Sequence, residues 1–305
     1  MSDSRPKWLP QEIAALSWPW EKFKEKFPGR SRVAWEHKRR RVAQDPLLPL
    51  EDQWRCPYYT KCEKIEGDVV VTGDWHIPFT DWELAGDVIR VGEFLGIKQL
   101  LIAGDLFDFE ALSFFIPEDD EIPTLEVEFD LAGKAIDELH KWFTSIIMTK
   151  GNHERRILAK LSAKLEMSRF QKLFTNLSED VVFSDYPYCL IDTPTGIWRA
   201  THPRNYSQVK LAVATRMADI HSTQNIINHH GHFAGGTLAK DGKRACIDNG
   251  CLADPHKVAY KQLNDTTHPE WNQGFGALKH GVWLARTVNP RLDVLGLMMG
   301  RYDAL

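Results

Sequence analysis

Residues 145–156 read SIIMTKGNHERR: an apolar run rich in β-branched residues that stops at Gly151-Asn152-His153-Glu154. The first half has the composition of a buried strand. A strand needs only turn-forming residues to end. This one ends on an amide, an imidazole and a carboxylate, three groups able to ligate a hard or borderline metal ion. Whether that ending is accidental depends on how the other strands of the chain finish.

They finish alike. DVVVTGDWH (68–76) ends on Asp74 and His76, and KQLLIAGDLFD (98–108) ends on Asp105 and Asp108. IWRATHP (197–203) ends on His202, and NIINHHGH (225–232) ends on His230 and His232. Helix-like stretches at 82–95, 124–143 and 154–164 alternate with these runs, which predicts an α/β sheet. In such sheets ligands bind beyond the carboxyl ends of the strands. Strands that each finish on a metal-type ligand therefore point at one place. A lone His or Asp at a strand end is commonly a turn or capping residue. Five such ends in one chain are not a pattern that turn chemistry generates.

The donor set contains carboxylate oxygens, imidazole nitrogens and one amide oxygen, without thiolate. It suits Mn²⁺ foremost, and also Fe, Zn or Ni. It has too many members for one tetrahedral ion and suits two adjacent divalent ions that clamp the oxygens of a displacement at phosphorus.

Asp74-Trp-His76, Gly104-Asp105-Leu-Phe-Asp108, Gly151-Asn152-His153-Glu154, the lone His202 and His230-Gly-His232 occur in that order. Together the five resemble the motifs of the calcineurin-like metallophosphoesterases, over residues 67 to about 250. The resemblance implies a two-sheet sandwich flanked by helices (α/β/β/α). It implies that Asp74, His76 and His232 hold one metal ion, that Asn152, His202 and His230 hold a second, and that Asp105 bridges both. It also implies attack on phosphorus by a metal-activated hydroxide. In that scheme His153 is no ligand but the residue that assists at the phosphoryl or leaving oxygen, oriented by Asp108. Two departures stand out. His229 precedes His230 where the family has Gly, so His229 and His232 form an alternative ligand register; His230/His232 keeps the one-residue spacing. Phe109 follows Asp108 where the family's protein phosphatases place arginine, which argues against a phosphoprotein substrate. Arg155 and Arg156, and Arg204 beside His202, either grip a substrate phosphate or form solvated surface.

The chain has 305 residues, 43% hydrophobic and 26% charged, with a net charge of −4. Residues 1–45 carry 11 Lys/Arg against 6 Asp/Glu, so a basic head precedes an acidic body. The head reads as three short helices, opened at Pro10, Pro19 and Ser31. Trp8, Trp18 or Trp20, and Trp35, with the Phe27–Ser31 turn, resemble a Myb/SANT-type helix-turn-helix. That resemblance implies a third helix that meets DNA through Arg32, His37, Arg40 and Arg41; a protein-interaction module is the alternative. Residues 46–66, with three prolines and no period, read as a linker, leaving 67–305 as the catalytic domain.

Five cysteines in no framework spacing point to a reducing, cytoplasmic setting, and the combination of basic head and acidic body looks bacterial or phage-like. The start MSDSRPKWLPQE lacks a secretory apolar segment, and no apolar stretch reaches the roughly 18 residues of a membrane span. The expected function is a dinuclear metal-dependent phosphoesterase acting on DNA, as nuclease or end phosphatase. The alternatives are a phosphodiesterase for small or cyclic nucleotides with the head as recruitment module, and a non-enzymatic DNA-binding protein with a structural metal site. Oligomeric state is not readable from the sequence.

Overall fold

A computed structural model of the chain describes residues 8–44, 62–113, 122–160, 166–177, 180–258 and 270–302. They fall into two units, residues 1–61 and 62–305.

The N-terminal unit contains α1 (Pro10–Ala14), α2 (Trp20–Lys26) and α3 (Arg32–Gln44), with a single 3₁₀ turn after α1. Proline begins α1, and Ser31 caps α3 by accepting the N–H of Ala34 at 3.2 Å. Phe23, Trp35, Leu16 and Ala15 form the core, closed by Trp8, Trp18, Trp20 and Phe27. It is Trp20 that meets Trp35, with ring centroids 5.7 Å apart. Arg30, in the turn before α3, forms a bidentate pair with the buried Glu12 of α1 and lies over the Trp8 ring. Hydrogen bonding to Arg30 lowers the Glu12 pKa, so the pair is ionised and ties the first helix to the turn.

The larger unit is built on two six-stranded mixed sheets. One has the order β12 (Val282–Thr287), β11 (Gly274–Lys279), β2 (Val69–Thr72), β3 (Gln99–Ala103), β4 (Ser145–Thr149), β5 (Val181–Phe183). The other has the order β1 (Lys64–Glu66), β6 (Tyr188–Thr193), β7 (Gly196–Thr201), β8 (Asn225–Asn228), β10 (Ala245–Asn249), β9 (Ala234–Leu238). Residues 64–66, read from the sequence as the end of the linker, are thus an edge strand parallel to β6, because Ile65 has an apolar face between the sheets to fill. Residues 46–61 of the expected linker lie outside the described residues.

Strand alternation explains the layering. Val69 and Val71 of β2, Leu101 of β3 and Ile147 of β4 point to the other sheet, meeting Ile191, Trp198, Ala200 and Ile227. Val70, Leu100, Ile102, Ile146 and Met148 point outward, under α4 (Trp82–Leu95) and α5 (Leu125–His140). On the far side α8 (Ala212–Ile220) covers Ile226 and Cys246 with Ala214 and Ala218. Shorter helices are α6 (Glu154–Lys160), α7 (Met167–Gln171) and α9 (Val294–Met298). The result is the helix/sheet/sheet/helix order the sequence predicted. Among the described residues no helix is long and apolar enough to cross a membrane.

Within this sandwich β2, β3, β4 and β5 run parallel in one sheet, and β7, β8 and β10 run parallel in the other. The polar sequence endings follow β2, β3, β4, β7 and β8, so side-by-side strands in both layers deliver them.

Candidate metal centre

The turns after the strands are laced together by backbone hydrogen bonds. Asp74 N–H donates to Gly104 O (3.0 Å), Trp75 N–H to Asp105 O (2.8 Å) and Asp108 N–H to Ile77 O (3.0 Å). Two glycines permit the close approach. Gly104 has φ +87°, and a Cβ there would meet the His202 ring at 2.6 Å. At Gly151 a Cβ would lie 2.0 Å from Asp105 Oδ1. Asp74, His76, Asp105, His230 and His232 all have positive φ, between 48° and 77°. Few non-glycine residues adopt this conformation, and strained positions of this kind gather at functional sites.

The side chains converge accordingly. Ligand-type atoms of Asp74, His76 and His232 lie within 4.8 Å of one another, and so do those of Asp105, His202 and His230. His76 Nε2 and His232 Nε2 face each other at 3.2 Å. His202 Nε2 stands 3.2 Å from Asp74 Oδ1 and 3.1 Å from Asp105 Oδ2, so the two trios share one wall. Asn152 Oδ1 is a buried acceptor without a hydrogen-bond partner among the described residues, and Asp105 Oδ2 makes no well-aligned hydrogen bond although His202 Nε2 lies 3.1 Å away. An acceptor left over in a buried site is what a cation satisfies. The donor set of oxygens and imidazoles, the two trios and these leftover oxygens fit a pair of divalent ions. Asp74, His76 and His232 would hold one; Asn152, His202 and His230 would hold the other, with Asp105 between.

His229 sits behind this wall. Its Nδ1 is 3.5 Å from Asp74 Oδ2 and its Nε2 is 3.4 Å from Asn249 Nδ2. It backs Asp74 from the far side, while His230 and His232 belong to the two trios.

A third trio, His76, Asp108 and His153, is a hydrogen-bonded relay. The resemblance implied that Asp108 orients His153, without saying through which of its groups. The structure places the Asp108 carboxylate 2.8 Å from His76 Nδ1, and the backbone carbonyl of Asp108 receives His153 Nδ1. The carboxylate is 3.5 Å from His153 Nδ1, beyond good hydrogen-bonding range. Asp108 therefore fixes both imidazoles, one with its side chain and one with its main chain. Arg156 donates to the same carbonyl at 2.9 Å and reaches His153 Nε2 at 3.1 Å. It is hydrogen-bonded into this relay and is not solvated surface.

Charge is concentrated here. Burial opposes ionisation of Asp74, but His232 and His202 hold it well below the usual carboxylate range. Burial likewise opposes charge on His202, yet Asp105 and Asp74 raise its pKa well above the ordinary value. His153 is pushed down to about 4 by burial, the nearby carboxylates only partly opposing, so it is neutral at pH 7. Burial and the Asp105 charge push Glu154 up to about 7. Glu154, given no role from the sequence, accepts hydrogen bonds from the N–H groups of Leu106 (2.8 Å), Gly151 (2.8 Å), Asp105 (3.2 Å) and Phe107 (3.3 Å). Its place in the quoted GNHE stretch was the available signal.

Of the remaining expected residues, Arg155 is half-buried, and its Nη1 is buried without a hydrogen-bond partner among the described residues. Arg204 is exposed on the segment after β7. On α3, Arg32, His37 and Arg40 are exposed, with Arg32 paired to Glu36 at 3.1 Å; the Arg41 side chain lies outside the described residues. Trp271, for which the sequence offers no signal, packs edge-on against His232, centroids 4.1 Å apart.

The family model of calcineurin-like phosphoesterases matches residues 67–269. Among solved structures the chain is similar to Vps29 of Chaetomium thermophilum, with 11% identity, 69% of this chain and 83% of that one covered, and a TM-score of 0.39. It is similar to Yfce, a phosphoesterase from E. coli, with 12% identity, 71% and 91% coverage and a TM-score of 0.40. For Vps29 of Cryptosporidium parvum the figures are 13%, 72%, 96% and 0.38. Likenesses of that size say nothing about chemistry. No curated protein matches the sequence.

Proposed function

This chain belongs to the calcineurin-like phosphoesterase family, a family of hydrolases acting on phosphoric esters, and on that premise we propose that it hydrolyses phosphate esters of DNA at a dinuclear centre. The observation that supports two ions is the pair of ligand trios with buried oxygens on Asp105 and Asn152 that make no well-aligned hydrogen bond.

Divalent ions held by these residues would supply positive charge to the phosphoryl oxygens and would acidify a water towards neutral pH. The protein does the rest. The left-handed backbone of Asp74, His76, Asp105, His230 and His232 is strain of the kind that gathers at functional sites, held here by the laced turns. Asp108 fixes His76 through Nδ1, leaving Nε2 for the centre. The Asp108 carbonyl accepts the Nδ1 proton of His153, so in the neutral ring Nε2 is the atom left to accept a proton in the centre. Arg156, beside that Nε2, supplies a fixed positive charge where phosphoryl charge builds up.

The DNA reading draws on the basic head and the exposed Arg32, His37 and Arg40 of α3, which would raise the local substrate concentration. Its test is a Mn²⁺-supplemented digest of end-labelled linear and closed circular duplex DNA, with His153→Ala as control. Shortened or nicked DNA identifies a nuclease, and loss of terminal phosphate alone identifies an end phosphatase. Intact DNA alongside metal-dependent cleavage of a small phosphodiester would overturn the DNA substrate and favour a nucleotide, with the head as a tether.

A further inference from the structure

Each half of the centre has an aromatic ring at its rim. Trp271 lies against His76 and His232. Tyr206 lies edge-to-face with His230, centroids 6.1 Å apart and planes at 79°, and is 44% exposed. Tyr206 stands on the segment between β7 and α8 that begins at the ligand His202 and also carries the exposed Arg204. This side of the centre therefore offers an exposed ring on the ligand His230 and, two residues along the chain from the ligand His202, an exposed cation. The relay of His153, Asp108 and Arg156 has its own partners elsewhere.

An exposed ring touching a ligand adds nothing to the handling of a phosphoryl group. It is instead the platform on which single-stranded bases stack, with basic side chains following the backbone phosphates. We propose that Tyr206 and Arg204 form a subsite for the nucleotide next to the reacting phosphate, the ring stacking on its base and the guanidinium holding the adjoining phosphate. The subsite rests on the phosphoesterase reading and sharpens it: the strand enters the centre unpaired, because a stacked base must leave its duplex.

The test uses the full chain with Mn²⁺ and a 2-aminopurine dinucleotide in which both linking ester oxygens are replaced by methylene, which keeps the charge and blocks cleavage. A probe this short offers the basic head no major groove. Wild type and Tyr206→Phe are expected to quench the probe with equal affinity, and inorganic phosphate is expected to displace it. Tyr206→Ala and Tyr206→Leu are expected to bind about 5- to 150-fold more weakly, the loss of one stacked base. Tyr206→Leu retains an apolar contact with His230, so a fold defect in the alanine variant does not decide the matter. Arg204→Ala is expected to lose any preference for a probe with an added 5′-phosphate. Equal binding by Tyr206→Leu and wild type, or a probe that phosphate cannot displace, overturns the subsite. Hydrolysis of bis(4-nitrophenyl) phosphate by wild type keeps the two questions apart. If it proceeds while Tyr206 proves irrelevant, only the subsite falls; if wild type neither hydrolyses it nor binds phosphate, the phosphoesterase reading falls and the subsite with it.

Discussion

Glu154 and Asp105 hold each other's turns. Glu154 accepts the backbone N–H of Asp105 at 3.2 Å, and Asp105 Oδ1 accepts the N–H of His153, next to Glu154, at 2.8 Å. The turn after β3 and the turn after β4 are thus closed on one another by two reciprocal contacts, both buried.

Glu154→Gln should loosen this clasp. Both carboxylate oxygens of Glu154 accept backbone N–H groups, so an amide NH₂ must face at least one donor pair. Leaving such buried donors unmet costs about 1–3 kcal/mol each. We expect a stability loss of about 2–5 kcal/mol in urea unfolding, accompanied by weaker metal retention. A variant with wild-type stability and full metal content would show that the clasp is dispensable.

Asp105→Asn should abolish turnover and lower metal content, because its Oδ2 lies 3.1 Å from His202 in its own trio and 3.9 Å from His76 in the other. Elemental analysis with activity on a chromogenic phosphodiester decides it. Near-normal turnover would remove the dinuclear arrangement.

His153→Ala should keep the metal content and lose about 10²- to 10⁴-fold in turnover, the range of a lost proton-transfer residue. Its imidazole contacts Asp108 and Arg156 and belongs to neither proposed ligand set. A preparation that came out metal-depleted would assign His153 to the ligands instead.

Glu128 gives the folded protein a pH dependence of its own. Burial raises its carboxyl to about 8 from the ordinary 4.5, while its Oε2 accepts Phe109 N–H at 2.9 Å. The folded state keeps this proton where the unfolded chain has released it. Stability therefore falls as pH rises from about 4.5 to about 8 and is level above, by an amount on the order of a few kcal/mol. Glu128→Gln keeps an acceptor for Phe109 and removes the titration. Melting curves of the two proteins between pH 5 and pH 9 should diverge, the variant being the more stable at high pH; parallel curves would refute the assignment.

On α3, Arg40→Ala should weaken duplex binding at low salt and reduce the salt slope by about one. Lys22, whose ammonium lies over the Trp18 ring, serves as the comparison, since Lys22→Ala removes the same charge from α2. Equal losses from both substitutions would reduce the effect to net charge.

Much of this protein is legible in its sequence because the informative signals are local. The apolar runs at 69–72, 99–103 and 145–149 are strands, and the five endings name nearly every side chain of the centre, since the residue after a parallel strand must lie at that sheet's edge. The head's helices begin where proline and Ser31 say they begin. Contacts between distant residues were not legible. Whether the Asp108 carboxylate meets His76 or His153 depends on differences of under an ångström between rings on separate turns. That His229 backs Asp74 rather than joining a trio follows from the pairing of β7 with β8, which orients the start of the turn. Ile65 joins the sandwich because the space between the sheets has room for it, a property of the assembled layers. The strand endings alone determined the inventory of ligands; the direction in which each side chain points was decided by packing between elements far apart in the chain, where a one-residue shift exchanges one face of a strand for the other.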